Sequence, residues 1–167
     1  MTRFLLNIAY QNRELHETQY ITKGMRTMDD RIFRGKRKDN GEWVKGYFLR
    51  EHDVPMIVED NETHNIVPKT LGESINYTDV NGKEIFDGDI CIVTLFDPFG
   101  SDKRYICKVD FKYACAYFQV FQVINANKMN DIWLISVTDI GDIESDVEVV
   151  GNIYDNPELL YRGENDE

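Results

Sequence analysis

Short alternating runs of apolar and polar residues, broken every ~10–15 positions by Gly, Asn, Asp or Pro, fill most of this chain. The cleanest is Tyr105 to Phe111. Tyr105, Cys107, Val109 and Phe111 fall on one face of a strand, and Lys108 and Asp110 fall on the other. Arg31 to Lys36 and Trp43 to Leu49 flank Asp39-Asn40-Gly41, which predicts a hairpin. A short apolar run, Pro55 to Val58, leads into an acidic loop at Glu59-Asp60-Asn61-Glu62. A further hairpin partner, Asn65-Ile66-Val67, is stopped by Pro68. Ile90 to Val93, Tyr117 to Ile124, Ile132 to Ile135 and Val147 to Ile153 supply the remaining strands. Asn156-Pro157-Glu158 then reads as the cap and first turn of a short helix, with Leu159 and Leu160 as its apolar contacts.

The turn chemistry is densest between Val80 and Ile90. Asn81-Gly82 suits a type I′ reversal, which needs positive φ at both central residues. Asp87-Gly88 offers a second reversal just before the next apolar run. Two tight turns so close together belong to a small, sharply bent antiparallel sheet. The predicted class is therefore mainly β, either all-β or β-dominated α+β. An N-terminal β-hairpin lobe is joined to a small SH3-like barrel and a short C-terminal helix. The expected divisions are an extension over 1–24, an N-terminal lobe over 25–72, a barrel-like lobe over 73–163 and a tail over 164–167. The extension is open to two readings: a loosely packed tail, or an arm that adds a helix or edge strand to a neighbouring subunit.

Composition narrows the function classes. With 19 basic and 30 acidic residues the net charge is −11, so the surface as a whole repels nucleic-acid phosphates. Three cysteines, Cys91, Cys107 and Cys115, have neither metal-knuckle nor redox-motif spacing and read as buried reduced thiols. No apolar run approaches the ~20 residues of a membrane-spanning helix, and the expectation is a soluble protein with no membrane association.

Few constellations carry chemistry. His52 and His64 bracket Glu51, Asp53, Glu59, Asp60 and Glu62, which could supply a metal-dependent hydrolase; their spacing across a loop fixes no geometry. Asp139, Asp142, Glu144, Asp146 and Glu148 alternate with apolar residues and read as one wet face of a strand. Neither a nucleophile elbow nor a phosphate-binding loop is present, so no catalytic residue, metal ligand or cofactor is assigned. One feature runs against the global charge. Arg31, Arg34, Lys36, Arg37 and Lys38 lie on the first hairpin beside Trp43 and Tyr47. Arg34, Lys36, Arg37, Lys38, Trp43 and Tyr47 are accordingly the candidate binding residues. They could meet an acidic patch of a partner or a second subunit, hold single-stranded nucleic acid, or simply form a solvated face.

Three blocks appear in order: Phe33-Arg34-Gly35-Lys36 through Trp43-Val44-Lys45-Gly46-Tyr47, then Asn81-Gly82-Lys83-Glu84-Ile85-Phe86-Asp87-Gly88-Asp89-Ile90, then Val149-Val150-Gly151-Asn152-Ile153-Tyr154 through Leu160. Together they resemble the YopX family of phage and prophage proteins over residues 31–160. Pro68 to Thr78 follows the family pattern only loosely. The resemblance implies a mainly β, self-associating protein of the bacterial host cytoplasm. It implies a homo-oligomer and carries over no catalytic residue; the functional expectation is a non-enzymatic phage accessory protein that binds a host or phage protein partner.

Overall fold

The computed structural model describes residues 31–96, 102–112, 115–124, 134–136 and 145–161, which leaves the expected extension over 1–24 outside the described residues. The chain divides into two units, at Leu71/Gly72. Both are built from antiparallel strands, so the fold is β-dominated.

The first unit holds β1 (Phe33–Lys36), β2 (Trp43–Glu51), β3 (Val54–Glu59) and β4 (Glu62–Asn65), in the order β4-β3-β2-β1. Its turns are short because polar residues take the left-handed conformation. His52 and Asp53 have φ of 47° and 64°, and Asp60 and Asn61 have φ of 46° and 69°. The segment Glu59–Glu62, expected as an acidic loop, is thus a two-residue reversal. Its partner strand also starts earlier than expected, at Glu62 in place of Asn65. The ribbon then closes on itself at one end. Ile66 bridges Arg37, the Lys38 amide donates to the Asn65 carbonyl (2.8 Å), and the Val67 amide donates to the Lys36 carbonyl (2.8 Å).

Val44, Ile57 and Ile66 fill the closed ribbon, with Phe33 and Leu71 packed against them. Gly35 sits under Ile66, and a Cβ there would lie 2.8 Å from the Ile66 Cδ1. A 3-10 turn at Pro68–Thr70 completes the unit. Its Thr70 Oγ1 accepts the Lys36 amide (2.9 Å) and donates to the Val67 carbonyl (2.7 Å), which pins the end of β1.

The second unit holds β5 (Gly72–Thr78), β6 (Glu84–Phe86), β7 (Asp89–Leu95), β8 (Lys103–Lys112), β9 (Cys115–Ile124), β10 (Leu134–Ser136) and β11 (Ser145–Asn152). β5 and β6 form a hairpin, and the other five strands run in the order β10-β9-β8-β7-β11. The Val80 amide donates to the Val147 carbonyl (3.0 Å), so the hairpin's turn lies against β11. Tyr105, Cys107 and Val109 are fully buried, as their alternation predicts. Ile106 is buried as well, because the opposite face is covered: with Ile90 and Leu160 it forms a second cluster. The expected C-terminal helix is a 3-10 helix, Pro157–Tyr161, and its Leu160 supplies that cover.

The Asn81-Gly82 reversal departs from type I′. Gly82 alone is left-handed (φ 78°), and Asn81 is not among the residues with positive φ. The Gly82 amide donates to the Asp79 carbonyl (2.9 Å), and the Asp79 amide to the Lys83 carbonyl (2.8 Å). This is a tight turn followed by one left-handed glycine. Asp79 organises it. Its Oδ1 accepts the amides of Asn81 and Lys83 (both 2.8 Å), and its Oδ2 accepts the Val149 amide of β11 (3.1 Å). Burial alone would push this carboxyl up, but the amides of Lys83, Val149 and Asn81 outweigh it and hold it below the ordinary carboxylate range.

Candidate functional site

The outward surface of the first hairpin follows from strand alternation. On β1, Phe33 and Gly35 share the side of the closed ribbon's interior, so Arg34 and Lys36 take the opposite side. On β2, Val44 is inside, so Trp43, Lys45 and Tyr47 share the opposite side with them; Lys45 and Tyr47 are exposed, whereas Arg34, Lys36 and Trp43 are half-buried and the Arg34 Nε is buried. Register then sets the neighbours: Lys36 pairs with Trp43, and Arg34 with Lys45. The Arg34 Cζ lies 4.7 Å from the Trp43 ring centroid, and the Lys36 Nζ lies 5.5 Å from it. Both cations therefore share one indole at cation–π distance. Tyr47 is 40% exposed and extends the aromatic surface along β2.

Four of the six sequence-predicted residues are thus brought together: Arg34, Lys36, Trp43 and Tyr47. The other two, Arg37 and Lys38, lie past the end of β1. Arg37 is engaged locally, donating from Nε (3.0 Å) and Nη2 (2.6 Å) to the two carboxylate oxygens of Asp39. This hydrogen-bonded pairing raises the guanidinium's pKa and lowers that of Asp39. Arg37 and Lys38 line an open cleft of about 380 Å³ with Asp39, Thr63, His64 and Asn65.

A second group of cations and rings lies outside the six predicted binding residues. Phe33 and Phe48 pack at 5.5 Å between centroids. The Arg31 Cζ lies 5.8 Å from the first ring, and the Arg50 Cζ lies 6.0 Å from the second. The readable signal was the Phe48/Arg50 spacing of two, which places both on one face of β2.

The other candidates disperse. His52 sits in the β2–β3 turn, while His64 is opposite Ile57, five positions further along β3. His64 Nε2 is 4.0 Å from Glu62 Oε2. Among the described residues, no three His, Cys, Asp or Glu side chains gather as they would around a metal ion. Cys91 and Cys107 face each other across β7 and β8 and are buried; burial pushes both thiols up, that of Cys107 to about 12. Cys115 is exposed, contrary to the expectation of three buried thiols, because it opens β9 directly after the β8–β9 reversal.

Of the second acidic cluster, Asp139, Asp142 and Glu144 lie outside the described residues. Asp146 and Glu148 are exposed on β11, and Val147 between them is buried, so the expected wet face is present at these positions. Val150 lies where the β11–β7 register shifts and is 37% exposed.

No helix among the described residues is long and apolar enough to cross a membrane. No solved structure matches the chain. Over 124 residues, 74% of this chain, it is 32% identical to the SPbeta prophage-derived uncharacterized protein YopX of Bacillus subtilis (strain 168), 78% of which is covered. The model of the YopX protein family matches residues 21–161, a span that includes all three blocks of turn and strand residues. The chain belongs to the YopX family.

Proposed function

We propose that the protein is a non-enzymatic prophage accessory protein that acts in the host cytoplasm by binding other proteins and by self-association. Its contact surface is the outward face of β1–β2. The observation that carries this reading is the pairing of Arg34 and Lys36 over Trp43, with Tyr47 exposed alongside. Arg, Trp and Tyr are the side chains that dominate protein–protein hot spots, since they combine large apolar area with directional polar groups. A cation held over an indole is restrained before contact, which lowers the ordering cost of binding.

Affinity capture from phage-infected host cells tests this, with the full chain compared against Arg34→Ala/Lys36→Ala. A protein retained by the former and lost by the latter at equal loading is expected. An eluate unaffected by the two substitutions would overturn the assignment. The same cation–aromatic face also supports a second reading, contact with single-stranded nucleic acid by stacking and phosphate pairing. The net charge of −11 opposes it. Nucleic acid in the eluate, lost with the same substitutions and with added salt, would favour this second reading.

A further inference from the structure

The outer edge of β4 is only half used, and its register shows which groups are left. The Ile66 amide donates to the Pro55 carbonyl (3.1 Å). Pairs in an antiparallel ladder alternate, so Ile66, His64 and Glu62 turn their main-chain groups toward β3, and Thr63 and Asn65 turn theirs away. Asn65 gives its outward carbonyl to the Lys38 amide (2.8 Å). The chain then reverses, with the Gly41 amide donating to the Arg37 carbonyl (3.0 Å), and β4 remains the outermost strand of its sheet. The Thr63 amide and carbonyl and the Asn65 amide thus have no main-chain partner among the described residues. An edge of this kind is a template for one more strand.

The cleft of about 380 Å³ lies at this edge, lined by Thr63, His64 and Asn65 of β4 and by Arg37, Lys38 and Asp39 of the β1–β2 connection. Small-molecule sites span ~300–1,000 Å³ and are lined mainly by apolar side chains. This one is small and its lining is wholly polar, which suits a peptide main chain better than an apolar ligand. The His64 side chain is only 10% exposed and makes no hydrogen bond to the described residues; its Nε2 stands 4.0 Å from Glu62 Oε2. A nearly buried imidazole without a hydrogen bond points to a partner that enters the cleft. Of the lining charges, the Asp39 carboxylate is already held by Arg37, and the exposed Lys38 has no ion pair among the described residues. One unneutralised cation therefore favours an acidic side chain beside it. We propose that this cleft takes an extended acidic segment of a partner protein, which adds a strand to the free edge of β4. The site goes beyond the β1–β2 face and uses none of Arg34, Lys36 and Trp43.

Titration of the nitrogen-15-labelled full chain, followed by amide NMR, tests this. The probe is acetyl-Thr-Val-Glu-Val-Thr-amide, whose β-branched residues favour an extended chain and whose blocked ends leave a single negative charge. It should shift the Thr63 and Asn65 amide resonances and slow their hydrogen exchange. The same peptide with Lys in place of Glu should bind about tenfold more weakly, and sodium acetate should leave both amides unmoved. Thr63→Pro removes an outward amide and no β3–β4 bond, a change that an edge strand tolerates. It should weaken binding of the acidic peptide about tenfold, with the rest of the spectrum kept. Lys38→Glu, on an exposed side chain, should reverse the preference between the two peptides. An acidic peptide that moves neither Thr63 nor Asn65 would overturn the proposal, as would undiminished binding by folded Thr63→Pro. An equal response to acetate would reduce the site to a simple anion contact and overturn strand addition. No variant here alters Arg34 or Lys36, so these outcomes are separate from those that test the β1–β2 face.

Discussion

The two units use charged residues in opposite ways. On the first, Arg34 and Lys36 stand on the outside over an aromatic ring and leave the closed ribbon to Val44, Ile57 and Ile66. In the second, carboxylates are taken inside the turn-rich motif. Asp79 accepts three backbone amides, and the buried Asp89 accepts the Phe86 amide (2.8 Å). A half-buried cation packed on a ring contributes through that ring contact. A buried carboxylate bonded to amides belongs to the fold, and removing it leaves donors without acceptors. The Asn81-to-Asp89 block is therefore architecture, and the proposed contact surface lies in the Arg34–Tyr47 block.

Substitutions in the two units should separate these roles. The largest effect is expected at Asp79, where Asp79→Ala strands up to three amides; a loss of about 3 kcal/mol in urea denaturation is the expected outcome. Little or no loss would mean that the turn is set by Gly82 alone. Next, Ile66→Ala should cost about 2–3 kcal/mol by emptying the closed ribbon of the first unit.

Acid should then distinguish the two carboxylates that flank the β6 strand. Asp79 has a folded pKa held below its unfolded value, so its contribution is present above the ordinary carboxylate range and is lost as pH falls through the folded pKa. The steepness of acid unfolding below about pH 4 should therefore diminish in Asp79→Asn. Asp87 has the opposite sign: burial raises its pKa, so its ionised form opposes folding, and Asp87→Asn should be neutral or stabilising at pH 7. The smallest change is expected on the contact face. Arg34→Ala should alter stability by about 1 kcal/mol, as a half-buried cation–π pair does, while weakening association.

Much of this was legible in the chain. The Tyr105–Phe111 alternation gave a buried face because β8 is central in its sheet, and the first hairpin's basic and aromatic residues landed on one surface because strand periodicity is two. What escaped depended on partners distant in sequence. Ile106 is buried in a cluster that Leu160 helps to cover, and the closure of the first unit depends on Asn65, Ile66, Val67 and Thr70 returning to Lys36, Arg37 and Lys38. His52-Asp53 and Asp60-Asn61 gave no glycine signal, although short polar side chains tolerate the left-handed region well enough to make two-residue turns. Asp79 was passed over because nothing in its neighbours announces a buried carboxylate; its third amide comes from β11, 70 residues away.

The closure of the first unit also sets an order of folding. Arg37 and Ile66 are 29 positions apart and the Lys36–Thr70 hydrogen bond spans 34, whereas the strand pairings within that unit are more local. In the second unit, Val93 pairs with Val147 across 54 positions, so its sheet waits for the last strand to be synthesised. Contact order therefore makes the first unit's ribbon the early product of translation and the second unit's sheet, completed by β11, the late one.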